Sequence, residues 1–508
     1  INSENIKLDK RLLKNYYLNK GHYKVEINDS NVELTENNNF KLQYNINAGP
    51  KFRIIKSSLV LPDDYNEKDF NKIKEKLNGN KFFYLEKKIS KEKYNQLFLL
   101  GDKSIKEEAN LSRIYPQKSL FSHILGQIDD DNNGISGVEK FFDYELKKSK
   151  KPLILSLDTN IQYLIREELI KAKKIFNNIG SAAILMNVNN GEIVSLVSLP
   201  DYDLNKRQNL NDLKYINRAT KAVYELGSVF KTFTFTAGLN EDVIDKDTNF
   251  LNLDKTIKCG KNLIREYDDK IPQNITAEEI LIRSGNIGSV RIGQKIGINK
   301  YKSFLNDLGL IEKIQFDIQE IGQPIPFNWG KCKLATSSFG HGITTTLLQL
   351  AKAYAIISNG GYQINPTLIK TNNFVKEKNN KILKEGVSEY VNSVLRKVVS
   401  SKNGTAGFAN VPGYEVGGKT GTAQKIKNGK YSQNKVNTFV SIFPVSNPKF
   451  VLLVLLDEPK ANKDYIYNYR DGSDFKYKGN WRNTAGWTSV EIAGKIIENI
   501  GPILATKY

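Results

Sequence analysis

Tyr224-Glu225-Leu226-Gly227-Ser228-Val229-Phe230-Lys231 is the stretch from which the rest of the chain can be read. Its last four residues set a serine and a lysine three positions apart. On a helix, positions i and i+3 share a face, so the Lys231 amine can reach the Ser228 hydroxyl. A serine hydroxyl is a poor nucleophile until a base removes its proton. The chain has three histidines, His22, His123 and His341, none of them near Ser228 in sequence, which leaves lysine as the economical base. Alone, such a tetrapeptide says little, because chance supplies it in many long chains.

Two further stretches give it weight. Ser284-Gly285-Asn286 opens a helix-compatible run from Ile287 to Ile296. It offers a hydroxyl for proton relay and an amide able to bind a peptide carbonyl, although by itself it reads as an ordinary helix N-cap. Lys419-Thr420-Gly421-Thr422, preceded by Gly417-Gly418, begins a strand pattern continued by Phe439 to Phe443 and Phe450 to Leu456. Gly421 lets backbone approach a substrate closely, and in isolation the motif is a glycine-rich turn between strands. Order and spacing decide: 56 residues separate Ser228 from Ser284, and 135 separate Ser284 from Lys419. Three unrelated coincidences in that order are improbable.

The 508 residues suggest roughly three domains, and 40% hydrophobic with 26% charged residues suffices for a sizeable core. The net charge of +20 is spread along the chain. Its longest basic stretch, Lys147 to Lys151, comes with no RNA-recognition, zinc-finger or basic-zipper pattern, so a solvated surface is expected and no nucleic acid. Two cysteines, Cys259 and Cys332, cannot form a zinc ribbon, an iron–sulfur site or a disulfide scaffold, and the histidines lack metal-ligand spacing. No metal and no cofactor is expected. The longest apolar run, Phe450 to Leu456, has seven residues, against about 20 needed to span a bilayer. With Ile1 first and no signal peptide, the chain reads as a fragment or a processed form.

Local patterns divide the chain into three expected segments: 1–78, 79–150 and 151–508. In the first, Leu8, Leu12 and Tyr16 have helical spacing up to a stop at Lys20-Gly21. Tyr23, Val25 and Ile27, then Val32 and Leu34, alternate with polar residues, as do Phe40, Leu42, Tyr44 and Ile46. Glu36 to Asn39 separates the two runs, which predicts a hairpin. A strand over Phe52 to Leu61 and a helix over Glu67 to Leu77 follow. The middle segment is rich in turns. In the third, a strand over Ile154 to Leu157 and a helix over Asn160 to Ala172 precede Ala182 to Val188 and Glu192 to Leu199, joined by the hairpin signal Asn189-Asn190-Gly191.

The first segment resembles POTRA domains, the periplasmic modules of outer-membrane barrel-assembly proteins, on Tyr16 to Tyr23 and Ala48-Gly49-Pro50-Lys51-Phe52. The match looks like the second half of one unit followed by the first half of another. A generic αββ segment is the competing description.

The three chemical motifs are the set of penicillin-binding proteins and class A β-lactamases. Residues from about 82 to 508 resemble a class B penicillin-binding protein, a monofunctional peptidoglycan D,D-transpeptidase. Asp158 to Gln162, Asn217-Arg218-Ala219, Gly340-His341-Gly342-Ile343, Gln349-Leu350-Ala351, Asn359-Gly360-Gly361, Gly404-Thr405-Ala406 and Ala485-Gly486-Trp487 carry the resemblance further. Arg113 to Pro116 and Gly137 to Glu139 lean towards the cell-division branch over elongation and cell shape. Two departures stand out. Gly285 replaces a more usual Ser or Asp, and the POTRA-like piece stands where a membrane anchor and early pedestal are expected.

The resemblance implies an α+β multidomain fold: an antiparallel sheet flanked by helices, with an all-helical lobe around 275–310, after a partial pedestal over 79–150. It implies Ser228 as nucleophile, Lys231 as its base, Ser284 as proton relay, and oxyanion donors at the Ser228 and Thr422 N–H groups. A second cation at Lys419 would lower the Lys231 pKa. Lys419, Thr420 and Thr422 would hold the terminal carboxylate beside Gly421, and Asn286 the peptide backbone. Stem peptides of peptidoglycan are the implied substrate, β-lactams the inhibitors, and cell-envelope synthesis proteins the partners, on the periplasmic side of the inner membrane. In that oxidising compartment the 73 residues between Cys259 and Cys332 neither demand nor exclude a bridge, and independent thiols are expected. The rivals are a β-lactamase or β-lactam sensor, and a non-catalytic envelope assembly module.

Overall fold

Phe450–Leu456 is apolar at every position and Ile193–Leu199 at all but Ser195 and Ser198, the pattern of strands covered on both faces. In the computed structural model of the chain, both belong to one five-stranded antiparallel sheet and are buried along their whole length. The structure describes residues 3–508 except 36, 38, 54–66, 80–81, 87–88, 102–104, 109–112, 207–211, 261, 372–379, 428, 472 and 474. They fall into two compact units, Ile1–Ser112 and Arg113–Tyr508.

The first unit carries helix α1 (Ser3–Asn19), strands β1 (Glu26–Leu34) and β2 (Phe40–Asn47), and helices α2 (Glu67–Leu77) and α3 (Lys91–Phe98). The helix and hairpin form where alternation and stop signals put them. Gly21, at φ +89, turns the chain out of α1. There the two motifs quoted for this segment meet: the His22 ring pairs through Nδ1 with Gly49 O at 2.9 Å, and the Phe52 N–H donates to Gly21 O at 2.7 Å. Beyond Arg53, the strand expected over Phe52 to Leu61 lies outside the described residues.

The second unit contains, in order, α4 (Thr159–Phe176), β3 (Gly180–Asn187), β4 (Ile193–Leu199), α5 (Phe230–Asn240), β5 (Thr256–Cys259), β6 (Asn262–Arg265), α6 (Ala277–Ile282) and α7 (Asn286–Ile296). Next come α8 (Ile298–Asp307), α9 (Lys331–Ser337), α10 (Leu347–Ser358), α11 (Val387–Ser400), β7 (Gly417–Lys427), β8 (Lys430–Phe443), β9 (Phe450–Asp457) and α12 (Ser489–Lys507). The sheet runs β4-β3-β9-β8-β7, with Leu453 opposite Ile184 and Val440 opposite Lys419, so the third motif lies on an edge strand. Helices α4 and α12 pack together and on the sheet, and α10 packs against β3, β8 and β9.

Local chemistry sets the helix ends. Asp158 Oδ1 accepts the Asn160 and Ile161 N–H groups and caps α4, whose Ile161, Ile165, Leu169, Ala172 and Phe176 form one buried stripe. Helix α5 is buried on every side from Phe230 to Leu239, which makes it the central helix. Its threonine hydroxyls are all satisfied, for instance Thr234 Oγ1 donating to Ser338 O at 2.8 Å and Thr232 Oγ1 accepting from the Tyr354 hydroxyl at 2.8 Å. Helices α6, α7 and α8 make the expected lobe.

Two expectations are corrected. Ile154 to Leu157 makes only an isolated bridge, Leu155 to Ile369: the Ser156 N–H donates to Leu368 O at 2.8 Å and the Lys370 N–H to Ile154 O at 3.1 Å, but the next N–H bond, from Asp158, goes to Val194 O instead. Cys259 and Cys332 are not independent thiols. They form a disulfide with their Cα atoms 5.3 Å apart, inside the range such a bond requires. Within the second unit, residues 113–148 pack onto α4 and the segment after β4: the Gln162 amide donates to Leu120 O at 3.0 Å, and the Tyr202 hydroxyl donates to Ser122 O. There the Arg113 guanidinium and the Tyr115 hydroxyl share the Glu139 carboxylate, each at 3.2 Å.

Candidate active site

Ser228 occupies a 3₁₀ turn, Gly227–Val229, that runs directly into α5. Gly227 stands at φ +62, and a Cβ there would lie 2.7 Å from Thr422 O. Conversely, a Cβ on Gly421 would lie 2.2 Å from Leu226 O, and one on Gly340 would lie 1.9 Å from Gly227 O. Three glycines thus let the serine turn nest between β7 and the Gly340-His341-Gly342 loop, which the Gly342 N–H fastens to Glu225 at 3.0 Å.

Lys231 follows in the first turn of α5 and is wholly buried, as is Lys419 on β7. Both amines converge on one hydroxyl: Ser284 Oγ accepts from Lys231 Nζ at 3.2 Å and from Lys419 Nζ at 2.8 Å. Lys231 Nζ also donates to Ser284 O at 2.5 Å and to Asn286 Oδ1 at 2.7 Å. Ser284 stands at φ +60, a region non-glycine residues rarely adopt. Such a conformation costs of order 1–3 kcal/mol and persists where the surroundings hold it. With the chain turned this way, both the carbonyl and the hydroxyl of Ser284 face Lys231.

Burial drives the electrostatics. It pushes the Lys231 amine down to about 7, with the Glu266 carboxylate acting in the opposite direction. Burial, and then the charge of Lys231, takes Lys419 well below its usual range. Desolvation, and not the charge of Lys419 that the resemblance implies, is what lowers Lys231. Two ammonium groups sharing one buried hydroxyl oppose each other, so burial and mutual repulsion both work against holding two protons on the pair.

Among the residues named from sequence, Lys231, Ser284, Asn286 and Lys419 are joined by direct hydrogen bonds. The expected Lys231–Ser228 hydrogen bond is not formed. Among the described residues Ser228 Oγ has no hydrogen-bond partner, and the lysine has turned to the stronger carbonyl and amide acceptors. Thr420 Oγ1 pairs with Thr405 Oγ1 at 2.8 Å, and Thr422 Oγ1 accepts the Ala485 N–H at 3.0 Å. These contacts explain why the Thr405 and Ala485 motifs accompany the chemical ones. Both ends of the Asn286 amide are engaged, Oδ1 by Lys231 Nζ at 2.7 Å and Nδ2 as a donor to Arg265 O at 2.8 Å. Sequence reasoning missed Glu266, which no motif announces, and the group around Glu225. The Tyr431 hydroxyl donates to the Glu225 carboxylate at 3.0 Å, and His341 stacks between Phe339 and Tyr431.

The fold thus brings a strand-edge lysine, a serine turn leading into a central helix and a lobe bearing Ser-x-Asn to one place. Residues 181–472 match the penicillin-binding protein transpeptidase domain, and residues 1–49 match POTRA, the surface antigen variable number repeat. The chain belongs to the penicillin-binding protein transpeptidase family. Within it, this is a class B member with a POTRA segment ahead of the catalytic domain. It is 32% identical over 433 residues to the probable peptidoglycan D,D-transpeptidase FtsI of Caulobacter vibrioides, covering 82% of this chain and 71% of that protein. It is 30% identical over 480 residues to stage V sporulation protein D of Bacillus subtilis, covering 84% and 74%. The fold is similar to that of penicillin-binding protein 3 from Mycobacterium tuberculosis in complex with aztreonam, with a TM-score of 0.65, 24% identity, and 77% and 90% of the two chains covered.

Proposed function

We propose that this chain is a peptidoglycan D,D-transpeptidase of the cell-division type that cross-links stem peptides through a serine acyl-enzyme. The observation that carries this reading is the convergence of two buried lysine amines on Ser284 Oγ, beside the turn that bears Ser228. Ser228 Oγ attacks the carbonyl between the two D-alanines of a stem peptide, and Lys231 in its neutral form takes the hydroxyl proton. The oxyanion of the tetrahedral intermediate lies against the Ser228 and Thr422 N–H groups, where one donor is typically worth about 3 kcal/mol. Collapse breaks the C–N bond, and Ser284 hands the proton to the departing D-alanine amine. An amine from a neighbouring strand then attacks the ester, forms the cross-link and returns the proton to Ser228.

Lys419, with the Thr420 and Thr422 hydroxyls, suits the carboxylate of the terminal D-alanine, and Gly421 leaves room for its backbone. β-Lactams present the same carboxylate and a strained amide, so they acylate Ser228 in place of the donor. The site acts in the cell envelope, outside the inner membrane, where a Cys259–Cys332 disulfide is stable. Among the described residues no helix is long and apolar enough to cross a membrane. The test is labelling with a fluorescent penicillin: wild type is labelled with one equivalent, and Ser228→Ala is not. Stoichiometric labelling of Ser228→Ala overturns the assignment of the nucleophile.

A further inference from the structure

Gly285 holds the N-cap position of α7 and has no side chain to cap it, yet the helix is not left uncapped. The Glu266 carboxylate reaches in from the exit of β6 and accepts the Asn286 N–H at 2.6 Å on one oxygen and the Ile287 N–H at 2.9 Å on the other. Its neighbours grip the same turn. Arg265 O accepts from Asn286 Nδ2 at 2.8 Å, and the Tyr267 hydroxyl donates to Arg283 O at 2.9 Å. Three consecutive residues, Arg265-Glu266-Tyr267, therefore clamp the segment from Arg283 to Ile287 that contains Ser284 and Asn286. The β5–β6 hairpin that delivers the clamp is tied to α9 by the Cys259–Cys332 disulfide.

We infer that Glu266 is a positioning residue for acylation, a carboxylate that replaces the missing cap at Gly285 and so holds Ser284 and Asn286 against Lys231. This rests on the transpeptidase reading of the site. A carboxylate at a helix N-terminus accepts charge-assisted hydrogen bonds from backbone groups that otherwise lack partners. It also supplies the negative charge that opposes the burial-driven lowering of Lys231. The ionisable groups facing Lys231 are Lys419, across Ser284, and Glu266. Beside Glu266 stands the Tyr267 phenol, pushed up to about 12 mainly by burial, so it stays neutral over the pH range of the test. Gly285 has φ −65, and a Cβ there would meet Glu266 Oε1 at 3.6 Å, an ordinary contact. A serine is therefore accommodated at 285 and can cap α7 itself.

The experiment uses the full chain and two readouts: amide hydrogen exchange at Asn286 and Ile287, and the pH profile of the acylation rate with a fluorescent penicillin. Glu266→Ala is expected to lose protection at both amides and to acylate roughly 10- to 100-fold more slowly, as misplaced reacting groups do. Adding Gly285→Ser to Glu266→Ala is expected to restore protection and part of the rate. Glu266→Gln keeps an acceptor but loses the charge, so the acidic limb of its profile is expected to move to lower pH. Unchanged exchange and rate in Glu266→Ala, or a shift to higher pH in Glu266→Gln, overturns the inference. Absence of acylation in the wild type would sink the transpeptidase reading instead, and the exchange measurement would still judge the clamp.

Discussion

Lys231 and Lys419, 188 positions apart in the chain, put their amines on the same Ser284 hydroxyl at 3.2 and 2.8 Å. That contact unites the three sequence motifs and has a consequence in pH. The Lys231 amine is pushed down to about 7 from an ordinary value of 10.5, so the neutral, proton-accepting form gains population as pH rises through about 7. The acylation rate with a penicillin is expected to climb across that interval and level off above it, until other groups titrate. Lys231→Ala should cost at least about 10²-fold in acylation rate. A flat wild-type profile between pH 5.5 and 8.5, or an unimpaired Lys231→Ala, would remove this lysine from the role of base.

The same depression makes a stability prediction. Below about 7 the folded and unfolded chains both carry the Lys231 proton. Between about 7 and 10.5 the unfolded chain binds more protons, so this residue adds stability as pH rises through that window. Lys231→Met should flatten the pH dependence of unfolding there, as measured by denaturant titration at a series of pH values. An identical slope in both proteins would contradict the burial-driven shift.

Gly340→Ala should disrupt the serine turn from a distance. The position has φ +83, and the added methyl would lie 1.9 Å from Gly227 O, so turn and loop must separate. Acylation is expected to fall by roughly 10²-fold. Gly330→Ala, whose Cβ would meet nothing within 4 Å, should leave the rate unchanged. Equal rates in the two variants would show that the packing of this loop does not position Ser228.

The disulfide closes a loop of 73 residues. In the chain-entropy account such a cross-link contributes about 4 kcal/mol by restricting the unfolded chain. Replacing Cys259 and Cys332 together by alanine should lower the melting temperature by several degrees, and reductant should have no further effect on that variant. A melting temperature matching that of the oxidised wild type would refute this.

Release of the penicilloyl group should be slow. A class A β-lactamase needs a glutamate free to activate water, whereas both Glu266 oxygens are held by N–H groups of α7. An acyl-enzyme that turns over within seconds would restore the hydrolase reading.

The sequence by itself determined the family of the chain and most of its local structure. Ser228, Lys231, Ser284, Asn286 and Lys419 were legible because short motifs preserve local geometry. The β3–β4 and β1–β2 hairpins were legible because turn residues and side-chain periodicity are properties of a few consecutive positions. Only the tertiary structure decided what depends on distant segments meeting. It turned Lys231 away from Ser228 and onto Ser284 and Asn286, made burial rather than Lys419 the main cause of the lowered amine pKa, joined Cys259 to Cys332, and brought Glu266 to the end of α7. Each of these depends on how the burial of apolar helices and strands orients segments far apart in the chain, and a single sequence carries no local signal for such contacts.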